Sequence, residues 1–167
     1  MIAQLPRVAL AFALLCAAIA GAGVAAPAQH DAYLPLVAAP VADPDLAAIA
    51  VSAAGLWYPS EADAPLEPFV ARAPTPADAC AAEIAPGEPV EVGDAGLALA
   101  GPAQTAPWMS DAQRGMAARF AALRAEIDAR LSGAISCQVG RIRVRVLILG
   151  VAPSGLVVGL RTVVTRT

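Results

Sequence analysis

The chain has no lysine, and its one histidine is His30. The missing lysine goes with a missing P-loop, since no glycine-rich loop has that pattern. With one histidine, a Ser-His-Asp or Cys-His arrangement would have to recruit His30, which lies in an Ala/Pro-rich N-terminal stretch. No His/Cys cluster has zinc spacing. Cysteine is scarce: Cys16, Cys80 and Cys137. Such a count excludes a disulfide framework and leaves Cys80 and Cys137 as either one cross-link or two buried thiols. Aromatics make up 4% of the residues. None is interleaved with the arginines of "GRIRVRV", so that segment lacks the stacking platforms of a single-strand nucleic-acid binder. The apolar run near the start, "VALAFALLCAAIA", has 13 residues. A bilayer span takes about 20.

That run has the layout of a secretory signal. Arg7 precedes it, and small residues at Gly23 and Ala25, or at Ala26 and Ala28, fit a cleavage site. The expected organisation is a signal over residues 1–28, an Ala/Pro-rich arm over 29–44 and a domain over 45–167. The protein is therefore expected to be exported, to the periplasm or outside the cell, with no membrane association after cleavage. Leu15 before Cys16 argues against a lipoprotein signal.

Charge is segregated. Residues 29–111 carry twelve acids and a single base, Arg72, whereas residues 112–167 carry two acids and nine arginines. Ion pairing between the two halves is the simplest expectation. An acidic surface facing a basic partner is the functional one.

Local patterns place the elements. "DPDLAAIAVSAAGL" reads as a helix capped by Asp43, with Pro44 in its first turn, Leu46, Ile49, Ala50 and Ala53 on one face and Gly55 at its end. Residues 66–72 read as a short strand. Residues 73–107 read as loops, with one short strand near "PVEV". Ser110 and Gln113 form a capping box ahead of Met116, Phe120, Leu123, Ile127 and Leu131, which predicts an amphipathic helix over 110–131. In "GRIRVRVLILG", Arg141, Arg143 and Arg145 alternate with Ile142, Val144 and Val146 at strand period. Leu147 to Leu149 should be covered on both faces. "GVAPSG" then turns the chain into a second strand, "LVVGLRTVVTRT", giving a C-terminal β-hairpin. Gly159 within it marks a bulge or a close packing contact.

The chemistry-bearing stretch is "GLWYPSEADAPLEPF", residues 55–69. Glu61, Asp63 and Glu67 could do acid–base work as paired carboxylates. Beside Pro and Ser they more simply make a solvated turn. Trp57 and Tyr58 read as an apolar plug behind the loop, with Glu61 presented in front.

This motif resembles the signature of the nuclease A inhibitor family: a leading helix, Gly, large apolar residues, Ser-Glu, an acid, Pro and a following strand. The helix, hairpin, "PSG" turn and final Thr of the C-terminal third resemble the same family, so the similarity spans residues 45–72 and 104–167. The resemblance implies an α+β fold, a three-layer α/β/α sandwich of the PR-1 type with the C-terminal hairpin in the central sheet. It implies a non-enzymatic activity without cofactor: blocking a sugar-nonspecific, metal-dependent DNA/RNA nuclease of the ββα-metal type through protein–protein contact. By position, Glu61 in the Ser60–Asp63 loop corresponds to the family's loop acid, Trp108 to its loop tryptophan and Thr167 to its terminal threonine. The Thr167 carboxylate is expected to reach the partner's metal. Where the family has a glutamine two residues before the tryptophan, this chain has Ala106, and Gln104 is out of register. The partner is expected to be a nuclease and not nucleic acid, and the inhibitor alone to be a monomer. Two other readings compete: a binding or cell-envelope protein on the same fold, and a hydrolase using the acidic loop.

Overall fold

A computed structural model describes residues 43–167. The signal expected over 1–28, His30 and most of the arm over 29–44 lie outside the described residues.

Helix α1 spans Pro44–Ala53. Asp43 caps it, accepting from the backbone N–H groups of Asp45 at 3.0 Å and Leu46 at 2.9 Å. Leu46, Ile49 and Ala53 are its buried face. Gly55, at φ +69°, ends it in the left-handed region that glycine occupies without steric cost. A two-stranded ribbon follows, β1 (Trp57–Tyr58) against β2 (Ala64–Pro65), and then β3 (Glu67–Val70).

The expectation of loops over 73–107 is only partly met. The "PVEV" strand is present as β4, Val90–Asp94, but two short helices flank it: α2 (Pro76–Ala82) and α3 (Ala95–Ala100). Both carry local start signals. Thr75 caps α2 by accepting from the Asp78 N–H, with Pro76 in the first turn. Asp94 caps α3 by accepting from the Gly96 N–H at 2.8 Å.

Helix α4 runs from Asp111 to Arg130 behind the Ser110–Gln113 capping box. Its buried face is Ala117, Phe120, Leu123 and Ile127, whereas Met116 is exposed at its N-terminal end. Directly after α4 comes β5, Ser132–Val139, a strand the sequence patterns did not indicate. Strands β6 (Arg143–Val151) and β7 (Val157–Thr165) form the expected hairpin, in register from Val151↔Val157 to Arg143↔Thr165. The strand starts two residues later than its alternation suggests: Arg141 and Ile142 lie in the turn between β5 and β6, and Ile142 is exposed.

Strands β3 to β7 make one antiparallel sheet, ordered β3-β7-β6-β5-β4. One face packs on α1, α3 and α4, through Leu46, Ile49, Phe120, Leu123 and Ile127 against Val144, Val146, Ile148, Val158 and Leu160. The other face carries α2, with Ala79 and Cys80 over Cys137, Val139, Leu147, Leu149 and Val157. The result is an α/β/α sandwich. Leu147, Ile148 and Leu149 are buried on alternating faces, which accounts for the continuous apolar run. Cys80 and Cys137 are disulfide-bonded, fastening α2 to β5.

At Gly159 a side chain would place its Cβ 2.0 Å from the Ile148 carbonyl oxygen, so close packing, and not a bulge, explains the glycine. The segregated charges pair as expected. Arg145 reaches Glu88 at 2.6 Å and Glu83 at 3.6 Å, Arg130 reaches Asp45 at 2.9 Å, and Arg161 reaches Glu67 at 3.5 Å. Hydrogen bonding to Arg145 and to the Ala85 N–H lowers the Glu88 pKa.

Candidate functional site

The ribbon β1–β2 holds the Pro59–Asp63 loop at its tip. The loop is self-bonded. The Ser60 N–H donates to Asp63 Oδ1 at 2.9 Å, the Ser60 hydroxyl donates to the Ala62 carbonyl at 2.7 Å, and the Ala62 N–H donates back to Ser60 Oγ. Asx- and Ser-type turns of this kind set a loop's shape without help from distant residues. Ser60 and Asp63 therefore shape the loop, and Glu61 is left at its exposed apex.

The ribbon is anchored behind the loop. Tyr58 is buried and its hydroxyl donates to the Ala98 carbonyl at 2.7 Å, tying β1 to α3. Burial raises the Tyr58 pKa, and the Arg166 charge opposes that in part, so the phenol stays a neutral donor near neutral pH. Trp57 behaves differently from the expected plug: it is 54% exposed. Neighbours on a strand point to opposite sides, so only one of the pair can face the core.

The loop meets the end of β7. The Glu61 N–H donates to the Thr165 carbonyl at 3.4 Å. The Glu61 carboxylate accepts from the Thr167 N–H at 3.2 Å, across 106 residues of sequence, and from the Thr167 hydroxyl. Arg166 is held from the other side: its N–H donates to the Ile142 carbonyl at 2.8 Å and its guanidinium to the Gln138 side-chain oxygen. Tyr58, Pro59, Ser60, Glu61 and residues 164–167 together line an open groove of about 360 Å³.

Among the sequence-derived candidates, Glu61, Ser60 and Thr167 thus meet at one groove, with Asp63 shaping the same loop. Trp108 does not line the groove. It sits in the turn before α4 and is 75% exposed, a large apolar side chain facing solvent. The motif reading passed over Arg166, the cation that lines the same groove. Its position one residue before Thr167, directly after the last strand, was the available signal.

Among the described residues, no three His, Cys, Asp or Glu side chains are grouped to hold a metal ion. The groove offers one side-chain carboxylate, hydroxyls and an arginine, a set suited to binding a polar or charged surface. A family model described as nuclease A inhibitor-like protein matches residues 44–167. No curated protein matches the chain.

Proposed function

The chain belongs to the nuclease A inhibitor-like family, and from that premise we propose that it blocks a sugar-nonspecific, metal-dependent nuclease of the ββα-metal type by occupying its active-site cleft. It does so as a monomer, without turnover and without a cofactor of its own. Such a cleft is basic and holds a divalent cation, because its substrate is a polyanion. Protein carboxylates placed where phosphates would lie compete for that cleft.

The observation that carries the reading is the meeting of Glu61 with Thr167 at one groove. The contact set is Glu61, Ser60 and Asp63 on the loop, Trp108 on its own turn, and Thr167, whose carboxylate reaches towards the partner's metal. Exposed Trp108 is the aromatic anchor of the set, the residue type over-represented among binding hot spots. The Cys80–Cys137 disulfide supports an exported protein, periplasmic or secreted, since disulfides persist in oxidising compartments.

Titrating such a nuclease with the purified protein should remove its activity at a fixed stoichiometry. Trp108→Ala should weaken inhibition by about 30-fold, the worth of a 2 kcal/mol hot spot. A two-residue extension after Thr167 should abolish it by moving the carboxylate. Full nuclease activity at excess protein would refute the proposal and favour a binding or envelope role on the same fold.

A further inference from the structure

We propose that Glu61 is a positioning residue: its carboxylate holds Thr167 in place beyond the last rung of the sheet, and it acts on a partner through Thr167. This deepens the inhibitor reading, on which its functional half rests.

The ladder between β6 and β7 ends at Arg143↔Thr165. Arg166 is still tied down by its own N–H to Ile142 and by its side chain to Gln138. Among the described residues Thr167 has no strand partner, and its two donors, N–H and hydroxyl, both go to one oxygen of Glu61. An acid that served only to present charge would turn both oxygens to solvent. Here one oxygen faces inward and is doubly engaged, which leaves Oε2 free of protein donors among the described residues.

The loop is built to keep that oxygen in place. Its shape is fixed by the Ser60–Asp63 and Ser60–Ala62 bonds, none of which involves the Glu61 side chain. Its distance from β7 is fixed by the Glu61 N–H bond to the Thr165 carbonyl. Tyr58 secures the ribbon to α3. Each support acts on the backbone around Glu61, and Glu61 in turn extends that order by one residue. The arrangement also gives a reason for threonine at 167, because a side-chain hydroxyl supplies the second donor. A cationic surface approaching the groove would meet a Thr167 already set in place, and would not have to order it.

Four variants separate positioning from charge. The Glu61→Gln amide keeps a carbonyl oxygen that accepts both bonds and loses the charge. Glu61→Ala loses both functions. Thr167→Ser keeps the second donor and Thr167→Val removes it. The first readout is the heteronuclear NOE of the residue-167 amide in the free protein, which needs no nuclease. Wild type, Glu61→Gln and Thr167→Ser should match the order of Val163, whereas Glu61→Ala should release residue 167 to terminal mobility and Thr167→Val should fall between. Equal mobility of residue 167 in wild type and Glu61→Ala would overturn the proposal. The second readout is inhibition of a ββα-metal nuclease. Glu61→Gln should lose less than about tenfold and Glu61→Ala more. Equal losses, with residue 167 still ordered in Glu61→Gln, would overturn positioning in favour of direct charge contact. If the order results hold and wild type inhibits no such nuclease, the positioning role stands and the inhibitor reading falls.

Discussion

Reducing the Cys80–Cys137 disulfide should cost this small domain about 4 kcal/mol. The bridge spans 57 residues of sequence. In the chain-entropy picture, opening a loop of that size returns about 14 cal/mol/K to the unfolded ensemble, or about 4 kcal/mol at 25 °C. The native side makes the loss more telling. Helix α2 has seven residues, too few to persist unaided, and it buries only Ala79 and Cys80. Just beyond its C-terminus Arg145 donates to the Glu83 carbonyl and pairs with Glu83 and Glu88, contacts at the surface that solvent screens. The assay is urea unfolding of the oxidised protein, the reduced protein and Cys80→Ala/Cys137→Ala. With a slope of about 2 kcal/mol/M, the reduced midpoint should fall by about 2 M. The double alanine should fall slightly further, because Cys137 is fully buried and its removal leaves space over Leu147 and Leu149. Hydrogen exchange should show α2 amides losing protection before those of β6. A reduced protein within about 1 kcal/mol of the oxidised one would refute the reasoning, and would mean that packing alone holds the second layer.

Two further outcomes follow from buried contacts. The Asp43 pKa lies below its usual value, chiefly through the Ser154 hydroxyl and then the Leu46 N–H. The depressed pKa means that Asp43 stabilises the fold above the unfolded value of about 3.9 and that this stabilisation is lost as pH falls through the lower folded value. Asp43→Ala should cost about 1–2 kcal/mol at pH 7, and in thermal melts the gap to wild type should narrow below pH 4; a gap constant from pH 7 to pH 2 would contradict this. Gly159→Ala should destabilise by about 1–3 kcal/mol in the same urea assay, since its methyl group meets the backbone of Ile148 and Leu149, which cannot swing aside; an unchanged midpoint would count against the tight β6–β7 approach.

The elements legible from sequence were those that announce themselves locally. Helix α4 carries its capping box and its own apolar stripe, and the β6–β7 hairpin carries strand alternation on both sides of a Pro-Ser-Gly turn. Strand β5 announces nothing. "SGAISCQV" is half small and polar, begins one residue after Leu131 closes α4, and lacks a separating turn. It is a strand because β4 and β6 supply hydrogen-bonding partners on both edges. Helices α2 and α3 had caps at Thr75 and Asp94, but their alanine-rich bodies give almost no periodic contrast between buried and exposed positions. The site was legible in parts. Glu61 and Thr167 could each be marked from the motif, while the bond between them depends on β7 running beside the ribbon, a tertiary fact. The choice between Trp57 and Tyr58 for the core was likewise beyond local pattern, because a two-residue strand alternates the same way in either phase.

The Ser154 hydroxyl, in the turn between β6 and β7, donates to Asp43 Oδ2 at 2.5 Å, while Oδ1 of the same carboxylate closes the first turn of α1. One side chain therefore joins the start of the first helix to the tip of the last hairpin, 111 residues away. The practical consequence concerns where the domain can be cut. The family match begins at residue 44, just inside that carboxylate. A fragment trimmed to the matched boundary would keep every helix and strand described above yet leave Ser154 and the first amides of α1 without their shared acceptor. The folding unit thus takes in at least Asp43, a residue that belongs to no helix or strand.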